Sequence, residues 1–439
     1  MKHWLKMIFG FLADKCAWTT EMTVTGVTEI DAAIPQYWAD GVMKDGSRES
    51  FWSQLAGKEG SMMPIIEKTG PLKQNGDSLV FNVIASLMGT GVSGENVLKG
   101  KEEKMAVGSF TVTVDMIRHA VGVSKKATKQ GNYDQVKMAG TLLKEWGARK
   151  MDYDVFNTLL GSSAITTLYA NSKSAIDSLN STDGDFLSPT DLTNARLALL
   201  RQGALPLKVT KVNGRSIPIY GVVISEIEEA RLYSNTTFAQ EVKDGWERFK
   251  SMNGGDHPLF KGCAGIYRNM LIYPYYSTLQ IPQGSPLRPE TLVGATITTA
   301  ETTTLTVGDG GTTVEDYTLY FASSGTLQIE DEIITYTTKT TNTFGTLTRG
   351  VSSTTAAQHI PNKLVTQRNV ATVIAFGAEA VCRALPEDWH PIGENDDYGA
   401  QIGLGIEGYY GHAAKIDKRR GKVASATLLK VYSSNPGTV

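Results

Sequence analysis

Two stretches of the chain alternate apolar and polar positions and predict strands. They are Ser78-Leu79-Val80-Phe81-Asn82-Val83-Ile84 and Gly108-Ser109-Phe110-Thr111-Val112-Thr113-Val114-Asp115. The turn residues Asn75-Gly76-Asp77 feed the first. Between them runs a glycine-punctuated polar tip, Met88-Gly89-Thr90-Gly91-Val92-Ser93-Gly94-Glu95, and then a charged stretch. Together they predict an extended hairpin with Phe81, Val83, Phe110, Val112 and Val114 on one face. A lone hairpin is marginal in water, so it needs another surface to lie on, in this chain or in another.

The strongest helical period spans 133–160. Tyr133, Val136, Met138, Ala139, Leu142, Leu143, Trp146, Ala148, Met151, Val155 and Leu159 recur at three- and four-residue spacing, and Gly161 suits the C-terminal cap. Gly140 and Gly147 inside it each cost about 1 kcal/mol relative to Ala, which predicts close packing there. A second helix is predicted from Pro189, with Ser188 as N-cap, Asp191 in the first turn and an apolar face from Leu192 to Leu200. Ile219–Ile224 and Met270–Tyr273 predict buried strands, Ile227–Leu232 a helix, and His257–Phe260 a loop. This is an α+β order without regular β-α-β alternation.

Two segments stand apart from that body. In 22–70 the large apolar residues Trp38, Met43, Phe51, Trp52, Leu55 and Met62 are irregularly spaced, as in an arm that lies on a neighbour. From Pro286 to Gln367 the chain turns Thr-rich, with short alternating runs such as Thr304-Leu305-Thr306-Val307 and Ile333-Ile334-Thr335-Tyr336. From Glu290 onward this stretch holds eight acids and three bases. It predicts a small all-β module inserted in a loop of the body, since Val370–Phe376 resumes the earlier pattern.

Composition narrows the function classes. Hydrophobic residues at 41% and charged residues at 20% provide a core and exclude global disorder. Lys+Arg 43 against Asp+Glu 45 gives net −2, so any nucleic-acid contact must be local and weak. Cys16, Cys263 and Cys382 are too scattered for a disulfide framework or a metal site and fit folding in a reducing compartment. Residues 1–21 resemble a signal peptide poorly, because Asp14 and Lys15 cut the apolar run short. They read as an upstream-start extension or flexible arm, with a cleaved prosegment or an amphipathic anchor as alternatives. No stretch has the roughly 18 apolar residues of a membrane span.

Candidate chemistry is sparse. Gly403-Leu404-Gly405-Ile406-Glu407-Gly408 imitates a phosphate loop but lacks the Lys-Ser/Thr ending. His119 and His412 read as structural, and Asp396-Asp397 as a solvated turn. No nucleophile set, carboxylate cluster, metal-ligand spacing or cofactor motif is legible, so neither enzyme activity nor a cofactor is expected. Lys125, Lys126 and Lys129 form one basic run. Lys415 to Lys422, with Lys418, Arg419, Arg420 and Lys422, forms another. They are solvated turns or contacts with DNA or an acidic neighbour.

The order of parts, arm, hairpin, long helix and α+β body, resembles tailed-phage major capsid proteins of the HK97-like fold. Particular runs resemble the family typified by phage N4. Among them are Gly76-Asp77-Ser78-Leu79-Val80-Phe81, Arg118-His119-Ala120-Val121, Leu142-Leu143-Lys144-Glu145-Trp146-Gly147-Ala148-Arg149-Lys150-Met151-Asp152, His257-Pro258-Leu259-Phe260-Lys261-Gly262 and Phe376-Gly377-Ala378-Glu379-Ala380. The resemblance covers most of 22–282 and 368–432. Within the insert, Leu347 to His359 resembles a β module that recurs in phage virion proteins.

The resemblance implies an icosahedral shell around double-stranded DNA, located in the virion and assembled in the host cytoplasm. A tail, fibre or decoration protein is the alternative. It implies an arm at 22–70, an extended loop at 71–120, and peripheral and axial domains from 121–285 and 368–439. The insert at 286–367 would be an immunoglobulin-like or smaller β domain on the outer face. The spine helix would carry Leu142, Leu143, Trp146, Met151 and Val155. The extended loop would meet neighbours through Phe81, Val83, Phe110 and Val112, and through Glu95, Lys99, Lys101, Glu102, Glu103 and Lys104. Implied partners are copies of the chain in pentamers and hexamers, a portal, a scaffold or cement protein, and packaged DNA; no membrane is implied.

Overall fold

The computed structural model describes residues 50–69, 78–84, 87, 89–105, 107–126, 135–162, 164–179, 184–207, 209–212, 215–253, 262–275, 287–308, 316–368, 370–396, 400–415 and 427–434. The 1–21 extension, most of the arm, the 75–77 turn, Met88, the 257–260 loop, Asp397, Lys129, Lys418, Arg419, Arg420 and Lys422 lie outside them. Two compact units divide the described residues. The smaller comprises 116–147 and 388–408; the larger takes the rest.

The long helix α1 (Gln135–Gly161) forms as the period predicts, about 40 Å in length at 1.5 Å per residue. Leu143, Met151 and Val155 are buried. Leu142 is not: it lies about 100° around the helix from Leu143 and is 51% exposed. Simple three- and four-residue spacing over-counts at the edge of an apolar stripe.

The smaller unit takes the later part of β20 (Val381–Asp396), the earlier part of β21 (Gln401–Ala414) and nearly all of β5 (Asp115–Ser124), with β21 between the other two in strand order. His119 stacks on half-buried Trp146 at 4.5 Å, and Trp146 meets Trp389 edge-on at 5.9 Å. The predicted close packing at Gly147 is present, since a Cβ there would come within 3.2 Å of Ile406 Cδ1. The glycine run 403–408 is part of β21 rather than a loop. A Cβ at Gly408 would lie 2.9 Å from the Trp389 indole, so the glycines there make room for a ring.

The larger unit centres on a six-stranded sheet. Its order is β10 (Gly265–Tyr267), β11 (Met270–Tyr275), β9 (Tyr220–Ser225), β19 (Ala371–Phe376), β22 (Leu428–Ser433) and β6 (Thr166–Tyr169). Both faces are covered, so its central strands β11, β9 and β19 are near-continuous apolar runs. Val222, Ile224, Met270, Ile272, Val373 and Ala375 pack with Leu192, Leu199, Phe238 and Val242. These last four belong to α2 (Pro189–Gln202) and α4 (Thr236–Asn253), with α3 (Glu226–Ser234) between them in the chain. The alternate residues Val223, Leu271, Tyr273, Ile374 and Phe376 pack with Trp52 and with Val155, Phe156 and Leu159 of α1. Helix α2 starts as predicted: Ser188 caps it ahead of Pro189 in a capping box with Asp191, and Gly203 closes it at φ 75°.

Two buried side chains hold the ends of this layer. Asp152 of α1 accepts from Ser50 Oγ (2.5 Å), Phe51 N (2.8 Å) and Trp52 N (3.1 Å), fixing the start of the short 3₁₀ turn Trp52–Leu55. Lys430 of β22 donates to the carbonyls of Leu160 (2.6 Å) and Ser162 (3.1 Å), where α1 ends with unpaired acceptors. Nearby, β1 (Ala56–Lys58) and β2 (Ile65–Thr69) run parallel to the first residues of β20. A small antiparallel pair, β7 (Val209–Val212) and β8 (Arg215–Pro218), precedes β9.

Residues 290–367 form two small sheets around their own core. One orders β12 (Glu290–Leu292), β18 (Leu364–Gln367), β14 (Gly325–Ile329) and β15 (Glu332–Tyr336). The other orders β13 (Thr304–Thr306), β17 (Thr343–Gly345) and β16 (Thr338–Lys339). First and last strands pair directly, Glu290 with Thr366 and Leu292 with Leu364, so the segment leaves and rejoins the body at one place. Leu305, Leu327, Ile334, Tyr336, Phe344 and Val365 fill the core.

Candidate assembly interface

The two alternating stretches pair as a hairpin, β3 (Ser78–Ile84) with β4 (Val107–Thr113). The register is one-to-one from Ser78↔Thr113 to Ile84↔Val107. Because side chains alternate sides, each face carries a defined set. Phe81 and Phe110 are cross-strand partners, stacked at 5.5 Å.

The inner face belongs to the chain itself. Leu79, Phe81 (5% exposed) and Val112 (1% exposed) are buried against Cys382 and Ala384, with Phe110, Val114 and Ala413 alongside. Lys68 Nζ sits 5.3 Å from the Phe81 ring centre. Close approach is required here, because a Cβ on Gly411 would fall 1.9 Å from the Thr113 carbonyl oxygen. Burial raises the Cys382 thiol to about 12, so it packs as a small apolar group. Phe81 and Val112, expected to touch neighbours, therefore anchor the base of the hairpin. Val83 is half-buried, opposite Gly108.

The distal part has a different character. Ile84, Leu87, Val97, Leu98, Met105 and Val107 are all large, apolar and exposed, Val97 at 71%. Gly91, Gly94 and Gly100 turn the tip with φ of 71°, 68° and 87°, values that other residues rarely adopt. Two of the expected inter-subunit charges have local partners: Glu103 accepts from Gly89 N (2.5 Å) and Glu102 from Gly100 N (2.7 Å). Glu95, Lys99, Lys101 and Lys104 are exposed.

Of the basic runs, Lys125 and Lys126 are described and exposed. His412 is half-buried and accepts from Arg383 Nε at 3.0 Å. Burial and the guanidinium hold its pKa well below the ordinary value, so it is a neutral structural imidazole. Among the described residues, no helix is long and apolar enough to cross a membrane.

One cluster was not legible in the sequence. In the 290–367 module, Arg349 forks onto Glu332 (Nε–Oε1 2.6 Å, Nη2–Oε2 2.7 Å) and donates to the Thr298 and Ala357 carbonyls. His359 meets Glu332 Oε2 at 2.8 Å and Glu330 at 3.0 Å. Glu332 also accepts from Gly350 N and Ala357 N. Desolvation would raise the Glu332 pKa, but Arg349, Ala357 N–H and His359 outweigh it and hold the carboxylate at about 2. Every partner atom is internal, so the cluster ties the module together.

Residues 25–183 match the family model for phage capsid protein. Comparison with curated protein sequences finds no match. Among solved structures, the capsid of Ralstonia phage GP4 is similar at TM-score 0.59 and 16% identity, covering 96% of this chain and 98% of that chain. The capsid of Helicobacter pylori bacteriophage KHP30 is similar at TM-score 0.55 and 13% identity, over 96% and 97%. The cyanophage Pam1 capsid is similar at TM-score 0.55 and 12% identity, over 96% and 98%. At these identities the likeness establishes the fold, which is HK97-like.

Proposed function

We propose that this chain, a phage capsid protein, builds the head shell by laying the outer end of its hairpin over a neighbouring copy. The observation that carries this reading is the division of the hairpin. Its base is anchored in the chain's own core, while six large apolar residues around its tip are exposed among the described residues. Exposed apolar clusters of this kind mark interaction sites.

Burying each such side chain is worth about 1.5–3 kcal/mol, whereas exposed ion pairs give about 0–1 kcal/mol. The apolar residues thus supply strength, and Glu95, Lys99, Lys101 and Lys104 set register. Each contact closes head-to-tail into rings of five or six, and the hairpin adds reach between subunits. In this reading Asp115–Ser124, α1 and β20–β21 form the peripheral part, and the six-stranded sheet with α2–α4 the axial part. The 286–367 module faces outward, in keeping with its eight acids and three bases from Glu290. Lys125 and Lys126 touch packaged DNA weakly. A portal, with a scaffold or cement protein, completes the particle in the bacterial cytoplasm.

The test is deletion of residues 88–104. The variant is expected to stay soluble, with an unchanged circular dichroism spectrum and melting midpoint, and to form no shells by electron microscopy. Normal shells from that variant would overturn the role of the hairpin.

A further inference from the structure

We propose that the 290–367 module is an intramolecular strap that clamps the C-terminal half of α1. Two contacts between the module and the body lie far apart along the module's chain. At its root, Leu287 is buried in the main core and its carbonyl accepts from Thr372 N at 2.7 Å. There Arg288 pairs with Glu290 and reaches Glu226 at the start of α3 at 3.6 Å. Far along the module's chain, the turn Tyr317–Phe321 carries Tyr320 onto α1. The Tyr320 hydroxyl donates to Asn157 Oδ1, and its ring meets Tyr153 edge-on at 5.7 Å and 75°.

Two attachments remove the freedom that one would leave. A module joined only by its adjacent first and last strands would pivot about that root. Tyr320 holds a second point on one turn of helix, and that turn is already tied on another side. Asp154 there accepts from Tyr410 Oη at 2.8 Å and from Lys150 Nζ at 2.9 Å. The turn itself is pinned from within, because Lys339 Nζ donates to the Thr318 and Phe321 carbonyls on either side of Tyr320 at 2.7 and 2.8 Å. The buried core of the module is thereby coupled to the helix backbone. Local opening of 150–161 must break the Tyr320 contacts as well as the helix's own bonds.

The experiment is hydrogen exchange of the full-length chain, comparing wild type with Tyr320→Phe, Tyr320→Ala, Asn157→Ala and the double variant Tyr320→Phe/Asn157→Ala. A single hydrogen bond of about 1 kcal/mol corresponds to roughly fivefold in exchange rate. Tyr320→Phe and Asn157→Ala are each expected to speed exchange of the 153–161 amides about fivefold, and together no more than either alone. Tyr320→Ala is expected to speed it more than tenfold. The β14 and β15 amides keep wild-type protection in every variant. Unchanged exchange in 153–161, or additive effects of Tyr320→Phe and Asn157→Ala, would overturn the strap. Because the readout is local exchange, it stands or falls independently of shell assembly.

Discussion

Replacing Arg349 by Met should melt the 290–367 module while leaving the six-stranded sheet of the body folded. The guanidinium is 4% exposed and the Glu332 carboxylate fully buried, so the substitution leaves an acid in the core without its cation. Removing one partner of a buried pair costs about 3–5 kcal/mol. A module of about 80 residues, at roughly 0.05–0.15 kcal/mol per residue, has about 4–12 kcal/mol in total. The loss is therefore a large share of its stability. At about 4–8 °C per kcal/mol for a domain of this size, the module's midpoint should fall by at least about 12 °C.

Hydrogen exchange on the full-length chain as a function of temperature, followed at Leu327 and Ile334, reads this directly. Lys363→Ala is the comparison: its bond to Glu330 is half-exposed on both sides and should shift the midpoint little. The double variant Arg349→Met/Glu332→Leu should recover much of the loss, because apolar replacements of both partners are tolerated. The depressed Glu332 adds a pH signature. A carboxylate lowered from 4.5 to about 2 contributes stability above about pH 4.5 that is lost as pH falls towards 2. A midpoint within about 3 °C of wild type for Arg349→Met would refute the reasoning, since the pair would then contribute no more than a surface contact.

Two further outcomes are expected. Lys430→Met should cost about 1–3 kcal/mol in global thermal unfolding by uncapping α1 at Leu160 and Ser162. Burial raises Asp152 from 3.8 to about 6 against its hydrogen bonds, so the folded state holds the proton more tightly than the unfolded state. Its contribution is full below about pH 4 and declines as pH rises through 6; Asp152→Asn should abolish that slope in chemical denaturation series.

Local rules carried the sequence reading wherever one element decides its own conformation. Alternation in 78–84 and 107–113 yields a strict one-to-one register, and Ser188 and Pro189 start their helix where expected. The reading failed where a partner far along the chain decides. Leu142 fits the helical period but is half exposed. The glycines of 403–408 look like a loop until Trp389 is brought against them. Glu332 lies 17 positions from Arg349 and 27 from His359, so no spacing rule connects them. The same limit applied to the hairpin: its apolar face was legible, but not the fact that Cys382 and Ala384, some 270 residues further on, would cover part of it.

That partial cover bears on how folding and assembly are divided within one element. Leu79, Phe81 and Val112 tie the base of the hairpin to the fold at about 1.5–3 kcal/mol apiece. Along β3 burial stops at Phe81, and along β4 it begins only at Val112, so among the described residues the tip stays exposed. Glu102 and Glu103 bend back to backbone amides of their own loop and shape it. What the tip offers a second molecule is then mostly Ile84, Leu87, Val97, Leu98, Met105 and Val107. In the proposed shell, substituting charges there would alter salt sensitivity and register. Substituting the apolar residues would abolish assembly without unfolding the subunit, because none of them contributes to the subunit's own core.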